Sequence, residues 1–352
     1  MDVDQRRARR EARRREVSRR RKRGLAAVAI VAVAAVLVAI ALGLGGSTKF
    51  GANNTSAGGS GAAGHAGSKH GQGGTGGAGS NAGASKSGSS NTGGSGAGEN
   101  TLKGTAPPGS GPKGTEAVPI LMYHVINPPP EGAKFPGLYV DPEEFEAQMK
   151  ALQQAGFRAV TMDQMLANWT RGAPLPKGKP IVVSFDNGYQ SQLTEALPVL
   201  RRLGWVGVEN IQLTGLPPSQ GGLSKGQIEQ LVKEGWELDT QGISHADLIT
   251  LGAAALHEQV VVAREEVRRL YKVPVNWFCY PSGHYDATVI AAVKAAGYVG
   301  STTVVPGWAS PTEDPYRLPR LRVLGGTSPG ALLAELAAIR SNPAPPASYG
   351  GA

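Results

Sequence analysis

Pro180-Ile181-Val182-Val183-Ser184-Phe185-Asp186-Asn187-Gly188-Tyr189 decides how the chain is read. An apolar run that ends in two polar residues and a glycine describes a buried strand delivering side chains to its C-terminal end. Successive strand residues alternate faces, so Asp186 and Asn187 can enter one pocket only if the strand breaks between them, and Gly188 permits such a break. Asp-Asn-Gly is also ordinary turn chemistry, and this stretch alone leaves both readings open.

Outward from this strand, residues 116–343 alternate strand and helix signals. Asp141-Pro142-Glu143-Glu144 opens a helix with an N-cap, a proline in the first turn and an acidic third position. Ser224 with Gln227, Asp286, and Ser328-Pro329 mark later helix starts, and Gly156, Gly204 and Gly235 mark helix ends. Strands are predicted at Val118–Met122, Ala159–Thr161, Val206–Ile211, Trp236–Leu238, Val275–Tyr280, Tyr298–Thr302 and Leu321–Leu324. About seven β-α units in one domain favour a parallel α/β barrel over an open sheet, although periodicity does not separate the two.

The N-terminal third is different in kind. Residues 1–24 hold eleven Arg and one Lys against Asp2, Asp4, Glu11 and Glu16, a net +8 out of +9 for the whole chain. The rest is nearly neutral, so the basicity belongs to a short tail and does not point to nucleic acid as a partner. Leu25–Leu44 is uncharged and apolar, long enough to span a bilayer as a helix. With the basic flank before it, the N-terminus is expected in the cytoplasm and residues after Gly45 across the membrane. A cleaved signal peptide is the alternative; the long basic region, the long apolar run and the lack of an A-x-A site speak against it. Residues 45–115 are mostly Gly, Ser, Ala, Asn and Thr, a composition that predicts a disordered tether. Some 70 residues of such coil span about 45 Å. Residues 344–352 form a short tail. Cys279 is the only cysteine, which excludes an intrachain disulfide.

Several motifs resemble the polysaccharide deacetylase family with the NodB-homology fold, also called carbohydrate esterase family 4. Val118-Pro-Ile-Leu-Met-Tyr-His-Val-Ile126 is similar to its opening strand, and Phe145 to Thr161 to the helix and strand that follow. Ser184-Phe-Asp-Asn-Gly-Tyr189 stands where the family has T-F-D-D-G-Y. Gly235 to Leu248, with Gln241 and His245, stands where the family has two metal-binding histidines. Phe278-Cys-Tyr-Pro-Ser-Gly-His-Tyr-Asp286 and Leu318-Pro-Arg-Leu-Arg-Val323 resemble its later signatures.

The resemblance implies a distorted (β/α) barrel facing cell-envelope polysaccharide or peptidoglycan. It implies hydrolysis of acetyl groups from amino-sugar glycan, a carbon–nitrogen bond that is not a peptide bond. It assigns Asp186 as general base, His124 as acid, Arg320 as the group orienting the base, and His245 as a ligand to Zn2+ or a similar divalent ion. The remaining ligand positions hold Asn187 and Gln241, neutral amides that supply no charge and suit zinc poorly. Three readings follow. The domain is an inactive NodB-fold glycan binder; or Asp239, two residues before Gln241 on one strand face, rebuilds the metal site; or Asp186 and His124 work without metal. Tyr189, Tyr280 and His284 are candidate sugar contacts beside the pocket.

Overall fold

The computed structural model describes residues 109, 111–214, 216 and 221–351, within a compact unit spanning Thr92–Ala352. The basic tail, the apolar stretch Leu25–Leu44 and most of the tether lie outside the described residues. Among the described residues no helix is long and apolar enough to cross a membrane. The last tether residues lie against the domain: Gly111 N donates to Gly172 O at 3.2 Å and Gly114 N to Asn168 O at 3.0 Å.

The strands are β1 (Val118–Tyr123), β2 (Phe157–Ala159), β3 (Lys179–Asn187), β4 (Val208–Ile211), β5 (Glu237–Thr240), β6 (Trp277–Cys279), β7 (Gly300–Thr302), β8 (Trp308–Ala309) and β9 (Leu321–Arg322). The helices are α1 (Pro142–Gln154), α2 (Met162–Arg171), α3 (Leu197–Leu203, entered through a π-helical turn Gln192–Ala196), α4 (Lys225–Lys233), α5 (Ala253–His257 running through a π-helical turn Glu258–Val262 into Ala263–Tyr271), α6 (Ala287–Ala295) and α7 (Pro329–Ala338). The caps read from sequence form. Asp141 accepts from Glu143 N, Asp286 from Val289 N and Ser328 from Ala331 N, and Ser224 and Gln227 make a capping box.

The sheet runs β7-β6-β5-β4-β3-β1, all parallel, with β2 also on β3. The outer edge of β1 is shared. Antiparallel β8, which the sequence reading missed, pairs at Val118 and Pro119, and parallel β9 pairs at Leu121 and Met122. The expected barrel is therefore incomplete. Among the described residues the gap between β7 and β1 is crossed only by the segment from Leu318, which bridges Thr302, to β9. This strap is not a full strand because Pro319 has no N–H to donate and Arg320 N turns aside to Val305 O at 3.0 Å.

Period two sorts β3 into two faces. Ile181, Val183 and Phe185 pack outward with Phe145, Met149, Leu152 and Leu200 of the helical layer. Val182 packs inward with Ile120, Val208 and Trp277. Ser184 and Asp186 continue that inward face, so the fold aims the carboxyl of Asp186 into the upper barrel.

Candidate functional site

Asp186 is buried near the C-terminal end of β3. The strand breaks one residue later, where Asn187 takes a left-handed φ of 81° and Gly188 follows at 91°. The break expected at Gly188 thus begins at Asn187, a residue type that tolerates this conformation. It lets two consecutive side chains enter one space. That space is a cavity of about 800 Å³ at the C-terminal ends of the parallel strands, lined by His124, Asp186, Asn187, Tyr189, Gln212, Gln241, His245, Tyr280 and Arg322 among others.

Arg320 reaches Asp186 from the strap. Its Nη1 donates to Oδ1 at 2.8 Å and its Nη2 to Oδ2 at 2.9 Å, a two-point pair with both side chains buried. Arg320 is itself fixed by Thr303 O at 2.8 Å and Ser184 Oγ at 3.3 Å, and Asn210 Nδ2 gives Asp186 Oδ1 a further bond at 3.0 Å. Burial pushes the Asp186 carboxyl up, but the Arg320 charge and hydrogen bonds outweigh it and hold the group at about 2. Burial pushes Arg320 down, and the facing Asp186 carboxylate more than restores it, raising it further. Cys279 Sγ lies 3.5 Å from Asp186 Oδ2, and burial pushes its thiol up to about 12, so it is inert.

His124 follows β1 and lines the same cavity. Burial lowers its imidazole to about 4 against the pull of Asp186, and its Nδ1 has no hydrogen-bond partner among the described residues. It is neutral at physiological pH. His245, with a left-handed φ of 55°, is also lowered by burial.

The two amides face each other. Asn187 Nδ2 donates to Gln241 Oε1 at 3.0 Å and to Gln212 Oε1 at 2.7 Å. The expectation that Asp239 replaces the missing ligand is overturned. Asp239 shares a strand face with Gln241 but lies deeper in the barrel, outside the cavity lining, where its Oδ1 accepts from Trp277 N at 2.9 Å. Burial pushes its carboxyl up to about 7, and it hydrogen-bonds Glu237, itself raised well above the carboxylate range by burial and by Asp163. His284 is also outside the lining, with Nδ1 3.0 Å from Asp247 Oδ1 and its ring beside Tyr349. Tyr189 and Tyr280 do line the cavity, but Tyr280 Oη is committed to Tyr316 O at 2.9 Å. Gln212 and Asn210 were missed; the polar residues Glu209, Asn210 and Gln212 in an otherwise apolar strand were the available signal.

The divalent ion that the resemblance implies does not fit this donor set. One imidazole remains, while the two amides that stand at the other ligand positions are bonded to each other. Among the described residues no group of three or more His, Cys, Asp or Glu is placed to hold a metal. Amide oxygens without charge are weak ligands for zinc.

An incomplete parallel α/β barrel with its polar cavity at the strand C-termini defines the class. Residues 174–301 match the family described as polysaccharide deacetylase. YxkH of Bacillus subtilis (strain 168), a protein named for the same family, is 27% identical over 224 residues, covering 63% of this chain and 77% of its own. BC0361, a polysaccharide deacetylase from Bacillus cereus, is 26% identical with a TM-score of 0.56, covering 63% of this chain and 69% of its own. The Streptococcus pyogenes deacetylase PplD, solved in complex with acetate, shares the fold at 23% identity and a TM-score of 0.58, covering 63% and 99%. Over residues 174–301 the chain is thus similar to polysaccharide deacetylase domains, and the fold around them is of the NodB type.

Proposed function

We propose that the domain binds acetylated amino-sugar glycan of the cell envelope in the barrel-end cavity and does so without a divalent ion. The hydrogen bond between Asn187 and Gln241 carries this reading, because it occupies with neutral amides the positions a metal would need. The polysaccharide named for the Bacillus cereus relative supports the ligand class. The apolar stretch Leu25–Leu44 behind a basic flank supports placement at a membrane, with the domain on the outer side. Titration of the full chain with acetylated glycan oligomers, in chelator and then in Zn2+, tests the proposal. Equal binding in both is expected; binding or acetate release that requires Zn2+ overturns it.

One observation favours a second reading, metal-free acetyl hydrolysis. A neutral His124 with an unpartnered Nδ1 shares the cavity with an ionised Asp186. A neutral imidazole can take a proton from water, and the Asp186 charge offsets part of the burial that opposes the imidazolium formed. Acetate release in chelator that His124→Asn abolishes would establish this reading over simple binding.

A further inference from the structure

We infer that the barrel-end cavity takes an acidic glycan, one whose sugars carry a carboxylate or phosphate group, and that Arg322 and Lys134 at its mouth bind that group. This rests on the reading that the cavity takes glycan.

Among the described residues the cavity lining holds one carboxylate, Asp186, and its charge is already matched by Arg320. Asn187 and Gln241 are neutral, and burial lowers both His124 and His245, so neither imidazole carries charge at physiological pH. Two lining cations remain, Lys134 and Arg322, both exposed. Neither has an ion-pair or hydrogen-bond partner for its side chain among the described residues; the Lys134 ammonium lies over the Phe135 ring, 5.1 Å from its centroid. Glu131, in the same loop as Lys134, and Asp247, 3.0 Å from His284, are outside the lining. The chain after residue 24 is nearly neutral, so two unmatched cations at one opening are a local feature.

The backbone holds both cations at one rim. Arg322, in β9, is in register with Met122, two residues before His124. Gly325 N donates to Gly137 O at 2.9 Å and Val125 N to Leu138 O at 3.2 Å, which ties the loop carrying Lys134 to the segments carrying Arg322 and His124. After burial and Arg320, the Arg322 charge also opposes protonation of His124, so its field reaches the cavity interior. Charge of one sign at a cleft concentrates ligands of the other sign there. The guanidinium of Arg322 is a planar fork that meets a carboxylate or phosphate at two points, and Lys134 adds a point charge. A sugar ammonium, the product of de-N-acetylation, meets like charge instead.

Calorimetry of the full chain tests this with a neutral N-acetylglucosamine tetramer, the same tetramer phosphorylated at O6, and a hyaluronan tetrasaccharide, in which glucuronate alternates with N-acetylglucosamine. At least one acidic oligomer is expected to bind about ten-fold tighter than the neutral one, and the tighter of the two names the acid. Lys134→Gln with Arg322→Gln changes only exposed side chains and keeps the basic residues 1–24; its melting temperature should match that of the natural chain. This double variant should bind acidic and neutral oligomers alike. A preference for acid that survives in it belongs to the basic tail and overturns the assignment to the cavity. Equal affinity of the natural chain for neutral and acidic oligomers overturns the assignment too and leaves glycan binding intact. Binding of none of the three overturns glycan binding and the acidic specificity with it.

Discussion

Asp186→Asn would leave the Arg320 guanidinium buried with no opposite charge. Removing one partner of a buried ion pair costs about 3–5 kcal/mol, so urea denaturation of this variant should show a loss of that order. The ion positions give a second expectation. Asn187→Asp with Gln241→His, beside the existing His245, would supply one carboxylate and two imidazoles around the cavity. Calorimetry should then detect Zn2+ binding by the double variant and none by the natural chain, and chelator should leave the natural chain's melting temperature unchanged. A natural chain that binds Zn2+ at micromolar affinity would contradict the fit argued for Asn187 and Gln241.

Among the elements, Gly300 on β7 has room for nothing larger. An added Cβ would meet Pro315 O and the Trp277 ring, atoms that cannot withdraw without moving the sheet. Gly300→Ala should therefore destabilise by about 1–3 kcal/mol, as overpacked cores do, measurable by thermal melting. Element order and most caps were legible in the sequence, because Asp141, Ser224, Asp286 and Ser328 act locally through hydrogen bonds to the next turn. Val182, Ser184 and Asp186 were likewise legible as one strand face. The two-residue β8 was not, since Trp308–Ala309 carries no period of its own and exists only because β1 offers an edge. Nor could sequence place Asp239: its strand face was readable, its depth along the barrel was not. Asn187 and Gln241 were readable as substitutions in a motif, but their partner Gln212 emerges only when β3, β4 and β5 lie side by side.

At the scale of the whole molecule, stability should depend on pH through the floor of the barrel. Burial raises Asp239 to about 7 and Glu237 well above the usual range, so the folded chain holds protons that the unfolded chain has released. The unfolded carboxylates titrate near 4. Stability from this pair is thus full below about pH 4; the part due to Asp239 is lost as pH rises from about 4 to 7, and Glu237 continues the loss in the same sense. Asp186 acts in the opposite sense only at the acid extreme, where its contribution is lost as pH falls towards 2. Asp239→Asn should raise the melting temperature at pH 8 by several degrees and change little at pH 4; an equal shift at both would refute the assignment. Finally, Arg320 lies 134 residues after Asp186 in the chain. During synthesis the carboxylate is made long before its counter-charge, so a chain ending before Leu318 has no means of sealing Asp186 inside as an anion. The cavity is thus closed only once the strap that carries Arg320 has been made, so the last segment of the barrel also settles the charge of an interior group made long before it.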